Sequence, residues 1–179
     1  MKEFKPLLFF LARFLGTYII LSLLYKLYLD QYLPHNIPDP FTKFTSDTSA
    51  LGLNKLGYFS FSNIAQNQPW MRLTVDGQVA SIVNEGCNAI SILIIFISFI
   101  VAFFTNLKQT ILFIISGLAI LFVMNITRIM LLNYIFRHHA EYGKMAHDYL
   151  FPAIIYGTIV ILWIVWIKFF VTKYKKKHA

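Results

Sequence analysis

Three side chains in this sequence have the chemistry for covalent work on a carbonyl: the thiol of Cys87, the guanidinium of Arg128 and the imidazole of His147. A cysteine acts as a nucleophile when it is a thiolate, a form favoured by a helix N-terminus and by nearby positive charge. Cys87 is expected to open a helix, where free backbone N–H groups point at it. Those donors, or Arg128, can hold the oxyanion of a tetrahedral intermediate. An imidazole at position 147 can take a proton, or return one to a leaving amine. Asp148 is placed to orient it. Asn125, three residues before Arg128, shares its helix face and can bind substrate backbone.

Each of these residues also has a plainer reading. A lone cysteine serves equally as a small packing residue. An arginine at helix depth costs on the order of 2–3 kcal/mol on insertion scales unless it snorkels or pairs, and a position at the membrane boundary permits snorkelling. A histidine beside an apolar run can be a loop residue at the interface. What separates the readings is whether the elements bring the three together.

Composition says what kind of elements these are. Of 179 residues, 58% are hydrophobic and only 13% charged, which excludes an ordinary soluble domain. The net charge of +8 comes from lysines and arginines beside apolar runs and at the chain ends, so nucleic acid is not an expected partner. Lys173, Lys175, Lys176 and Lys177 make a basic tail after the last apolar run, the mark of a cytoplasmic anchor, with membrane lipid as its partner. One cysteine excludes intrachain disulfides and multi-cysteine metal sites. The first apolar run is too long for a signal-peptide core, and Asp30-Gln31-Tyr32 offers no small-residue cleavage site, so it is expected to stay as a span.

Four runs are long enough to cross about 30 Å of hydrocarbon: residues 7–29, 88–106, 109–136 and 149–171. The expected fold is an all-α polytopic membrane protein, a four-helix transmembrane bundle in one domain spanning 1–179, with a small extracytoplasmic loop and β-hairpin segment at 30–86. Lys2, Lys5, Lys108 and the C-terminal lysines then fall on one side, which places both termini in the cytoplasm. The third run is longer than a crossing needs. It reaches the outer boundary near Arg128, leaving 129–136 tilted inside or standing above the membrane. The outer segment 30–86 shows no evident core of its own; within it Pro34, Pro38 and Pro40 break the start, and 51–64 reads as an interfacial helix on the membrane. Asp76-Gly77 in the alternating stretch 71–83 signals a hairpin.

This topology puts Cys87 ahead of the second span, Arg128 at the outer end of the third, and His147 two residues before the fourth. Three helices so bring a thiol, a guanidinium and an imidazole to one height. His138, His139, Glu141, His147 and Asp148 also hold metal-ligand atoms, but their spacing matches no metal motif, and neither a metal nor another cofactor is expected.

At these residues the sequence resembles the exosortase/archaeosortase family, most closely the small exosortase F type. Glu-Gly-Cys-Asn-Ala at 85–89, Asn-Ile-Thr-Arg at 125–128, and His147 with Gly157 downstream carry the resemblance, in that order on successive spans. Many members have Ser and Gly after the cysteine where this chain has Asn88 and Ala89, and many carry further N-terminal spans. The resemblance implies a cysteine transpeptidase at the outer face of a bacterial inner membrane. It would cleave C-terminal sorting signals of exported proteins through a thioester and pass them to an acceptor, in company with a small membrane protein. Cys87 would be the nucleophile, Arg128 the oxyanion or carbonyl ligand, His147 the general acid/base. Glu85, Asn88, Asn125 and Asp148 would support the site or bind substrate. Two other classes remain open: a non-enzymatic membrane subunit of an envelope assembly or transport complex, and a metal-dependent hydrolase using His138, His139 and His147.

Overall fold

The computed structural model describes residues 4–174; Lys2 and the lysines at 175–177 lie outside that range. Among the described residues three helical stretches are long and apolar enough to cross a membrane: Lys5–His35, Leu107–His138 and Ala140–Tyr174. The first contains helix α1 (Lys5–Leu29) and the second is helix α4 (Leu107–His138). The third begins as α5 (Ala140–Met145) and continues as α6 (Phe151–Val165) through wider, π-helical turns at Ala146–Leu150 and Trp166–Val171. The run expected at 88–106 contains a shorter helix, α3 (Ile90–Ala102), of 13 residues and so about 20 Å long.

α3 lies antiparallel to α1. Its start is tied to the C-terminal part of α1 by a hydrogen bond from Asn88 to Tyr25, and its end packs Phe103 on Phe10, with ring centroids 4.5 Å apart. The indole N–H of Trp166 donates to the carbonyl of Phe103 at 3.2 Å, which brings the far end of the last helix to the same level. Lys5, Lys108 and Lys173 consequently belong to one end of the bundle. Between the helices Phe96, Ile100, Leu121, Ile159 and Trp166 form a buried apolar cluster. Phe96 lies directly over Gly117 of α4, where a Cβ would overlap the ring. Small residues at such crossings let helices approach closely enough for dispersion to hold them in lipid.

The segment between α1 and α3 differs from the sequence expectation in three ways. Its helix, α2 (Pro40–Lys55), starts earlier than residue 51, because Asp39 caps it by accepting the N–H groups of Phe41 and Thr42, and Pro40 presets the first turn. The expected helix to residue 64 gives way to strand β1 (Ser60–Ile64), which pairs antiparallel with β2 (Met71–Val75). β2 turns into β3 (Gln78–Val83) at Asp76-Gly77, the hairpin the alternation predicts. Both turn residues have positive φ (50° and 80°), as a two-residue hairpin loop requires. The segment also has a core: Leu53 of α2 and Met71, Leu73, Val75 and Val83 of the sheet are buried with Ile129 of α4. The residues of α4 beyond Arg128 therefore carry this small α/β unit. Arg137, near the end of α4, reaches Asp76 at 3.5 Å and Gln78 at 3.0 Å in the hairpin.

Candidate active site

Cys87 lies in the tight turn between β3 and α3, half-buried, three residues before the helix begins. The expectation that it opens the helix is corrected here. Ala89 takes a left-handed conformation (φ 67°), α3 starts at Ile90, and the Ile90 N–H is already bonded to the side-chain oxygen of Asn88 at 2.9 Å. The helix-end donors offered by the sequence are thus displaced from the thiol.

The main chain of Cys87 is held on both sides. Its N–H donates to the carbonyl of Asn84 at 2.9 Å, and its carbonyl accepts from the side-chain amide of Asn125 at 2.8 Å. Asn88 is fully buried and donates to the hydroxyls of Tyr25 and Thr42, each at 3.0 Å. The hydroxyl of Thr42 in turn donates to Asp39, which also accepts from Tyr28. A buried polar chain through α1 and α2 so fixes the residue next to the thiol. Asn88 and Asn125 are buried and do not line the cavity described next. Glu85 is half-buried and does not line it either.

In front of the thiol is a cavity of about 610 Å³, within the size range of small-ligand pockets. Cys87, Arg128, Lys144, His147 and Asp148 line it together with residues 79–83 of β3. Arg128 arrives one turn after Asn125 on α4, so the side chain that clamps Cys87 and the one that faces it share a helix face. Among the described residues Arg128 makes no hydrogen bond or ion pair, and its Nε is buried without a partner. It is half-buried and unpaired, which leaves its charge available to a ligand in the cavity.

His147 was expected in a loop before the last span. It lies instead within the helix, in the π-helical turn Ala146–Leu150. Pro152 explains the turn: it has no N–H to give the carbonyl of Asp148, and its ring crowds that carbonyl, so the helix widens and Phe151 bonds back to Ala146. Such single π-turns recur at functional sites. Here the turn presents His147 and Asp148 together, with Nδ1 of the ring 2.8 Å from a carboxylate oxygen of Asp148. A carboxylate in that position favours the proton on Nδ1 and leaves Nε2 available for proton transfer. Lys144, three residues before His147, was not singled out as a site residue in the sequence; its i, i+3 spacing from the histidine is the signal that would have found it.

Chemically, the cavity offers a thiol, an unpaired guanidinium and an imidazole backed by a carboxylate. Among the described residues no group of three His, Cys, Asp or Glu side chains is arranged to hold a metal ion. His138 instead packs on Tyr134, with centroids 4.7 Å apart.

The sequence model of one protein family, described as transmembrane exosortase, matches residues 7–170. No curated protein matches the chain, and no solved structure does.

Proposed function

The chain belongs to the transmembrane exosortase family, and from that premise we propose that it is a membrane-embedded cysteine transpeptidase of the exosortase F type. One observation supports this above the others: Cys87, Arg128 and His147, contributed by a turn and two separate helices, line a single cavity. The Cys87 thiolate attacks the scissile carbonyl of a C-terminal sorting signal, and the oxyanion that forms faces Arg128. His147, held by Asp148, protonates the departing amine, leaving the substrate as a thioester on Cys87. An acceptor nucleophile then gives its proton to His147, attacks the thioester and releases the thiolate.

In this reading the whole chain is one integral membrane domain with four crossings, α3 being the second. Both termini are cytoplasmic, and the cavity opens at the outer face of a bacterial inner membrane. The lysines gathered at one end of the bundle support that orientation. The substrates are exported proteins whose own C-terminal transmembrane helix lies alongside, and a small membrane protein accompanies the enzyme.

Cys87→Ala is expected to leave the protein in the membrane and stop processing. Wild-type protein incubated with membranes from its own cells should yield a Cys87 acyl-enzyme whose attached peptide mass spectrometry identifies. Normal processing by Cys87→Ala would sink the proposal.

A further inference from the structure

The two edges of the three-stranded sheet are treated differently. The strand order is β1-β2-β3, so β1 and β3 each have one side without a strand neighbour. On β1 that side is plugged at its first residue: the side chain of Asn54 accepts from the N–H of Ser60 at 2.8 Å and donates to its C=O at 2.6 Å. On β3 no group from outside the sheet bonds to the main chain of residues 79–83 among the described residues. β3 carries no charged side chain to discourage pairing, and Val79 and Ile82 are 59% and 54% exposed.

The register shows which groups are free. In a hairpin closed by a two-residue turn the flanking pair, Val75 with Gln78, exchanges both hydrogen bonds, and the next pair, Thr74 with Val79, exchanges none. The register slips between Leu73 and Thr74, which makes Ala80 a bulge and pairs Leu73 with Ser81 and Arg72 with Ile82. Val79 and Ile82 therefore turn N–H and C=O to the outer edge. The same alternation on β1 turns Ser60 outward, where Asn54 is found bonded to it.

That open edge is one wall of the cavity that holds Cys87, and the chain runs from β3 to the cysteine in four residues. We propose that the substrate segment bearing the scissile bond binds as an added strand along the outer edge of β3, extended and uncharged, with the edge leading its carbonyl to Cys87. This rests on the transpeptidase reading of the same site and specifies how that site takes its substrate. Main-chain hydrogen bonds to the edge supply affinity for any peptide, and side-chain contacts in the cavity select among them. An extended strand presents its peptide bonds to a nucleophile, whereas a helix keeps them in its own hydrogen bonds.

The test uses the full chain in lipid nanodiscs and two alkylating probes, an uncharged pentapeptide chloromethyl ketone and iodoacetamide. Cys87 is the sole cysteine, so both labels report one site. Val79→Pro and Ile82→Pro each remove an outward N–H without removing a bond to β2. Each is expected to slow alkylation by the peptide about tenfold, as the loss of one or two main-chain bonds would, and to leave the iodoacetamide rate unchanged. On wild-type protein, N-methylating the peptide's amides one at a time should slow alkylation at alternate positions only. That arm holds even where a proline variant fails to fold. Equal sensitivity at every amide, or at none, overturns strand addition while leaving the transpeptidase reading intact. A Cys87 inert to iodoacetamide overturns that reading, and this proposal with it.

Discussion

An arginine charge left without a partner beside a thiol is costly unless something arrives to use it. Arg128 is in that state, which makes its guanidinium the most informative single group in the cavity. Arg128→Gln is expected to lower the processing rate by about 10²- to 10³-fold, the usual loss for an oxyanion ligand, while iodoacetamide still finds Cys87. A rate within threefold of wild type would remove the arginine from the reaction. Asn125 acts one step back, through the carbonyl of Cys87. Asn125→Leu leaves that carbonyl without its donor and should cost about 1–3 kcal/mol, read as a lowered unfolding midpoint in detergent. At this scale the sequence was most legible. A lone cysteine, an arginine inside an apolar run and a histidine followed by an acid are conspicuous by type alone. The partners that hold them were not, because Tyr25, Thr42 and Asp39 lie 46 residues or more before Asn88 and meet Cys87's neighbourhood only through tertiary packing.

The π-helical turn and the α3–α4 crossing show how elements aim those groups. Pro152→Ala restores a donor to the carbonyl of Asp148 and removes the ring that forces the turn open. The variant is expected to fold at least as stably as wild type, yet to process substrate at least tenfold more slowly, because a regular α-turn rotates His147 and Asp148 relative to the helix below. Thermal unfolding and processing measured on the same preparation decide this, and undiminished processing would make the turn incidental. Gly117→Val drives a side chain into the Phe96 ring and should destabilise by about 1–3 kcal/mol, whereas Gly16→Ala, with open space around it, should be silent. Apolar runs of 20 residues or more and the Asp-Gly hairpin were readable without the structure, since hydropathy and turn chemistry are local. The start of α2 was missed, because the proline-rich stretch reads as a break and hides Asp39-Pro40, the pair that caps the helix. β1 was not readable either, because Ser60–Ile64 gains its strand partner only when β2 returns beside it. Nor was the π-turn, which arises from a contest between Pro152 and a carbonyl one turn away.

For the molecule as a whole, the sequence made legible the membrane and the approximate number of apolar runs, and concealed that the segment between α1 and α3 folds on the end of α4 as a packed α/β unit. It also concealed how unequal the helices are: α4 has 32 residues and α3 has 13. In the proposed four-crossing reading, α3 would span about 20 Å where the hydrocarbon layer is about 30 Å, and the bilayer would then pinch around α3 or the turn bearing Cys87 would sink beneath the headgroups. Either response makes the lipids a working part of the protein. In vesicles of shorter, more fluid acyl chains the dimple relaxes and water reaches the thiol readily. In thick or sterol-stiffened vesicles the thiol is drowned in hydrocarbon, and its alkylation by iodoacetamide should slow steadily with each added pair of methylenes. Membrane composition would then throttle the reaction with no regulator bound.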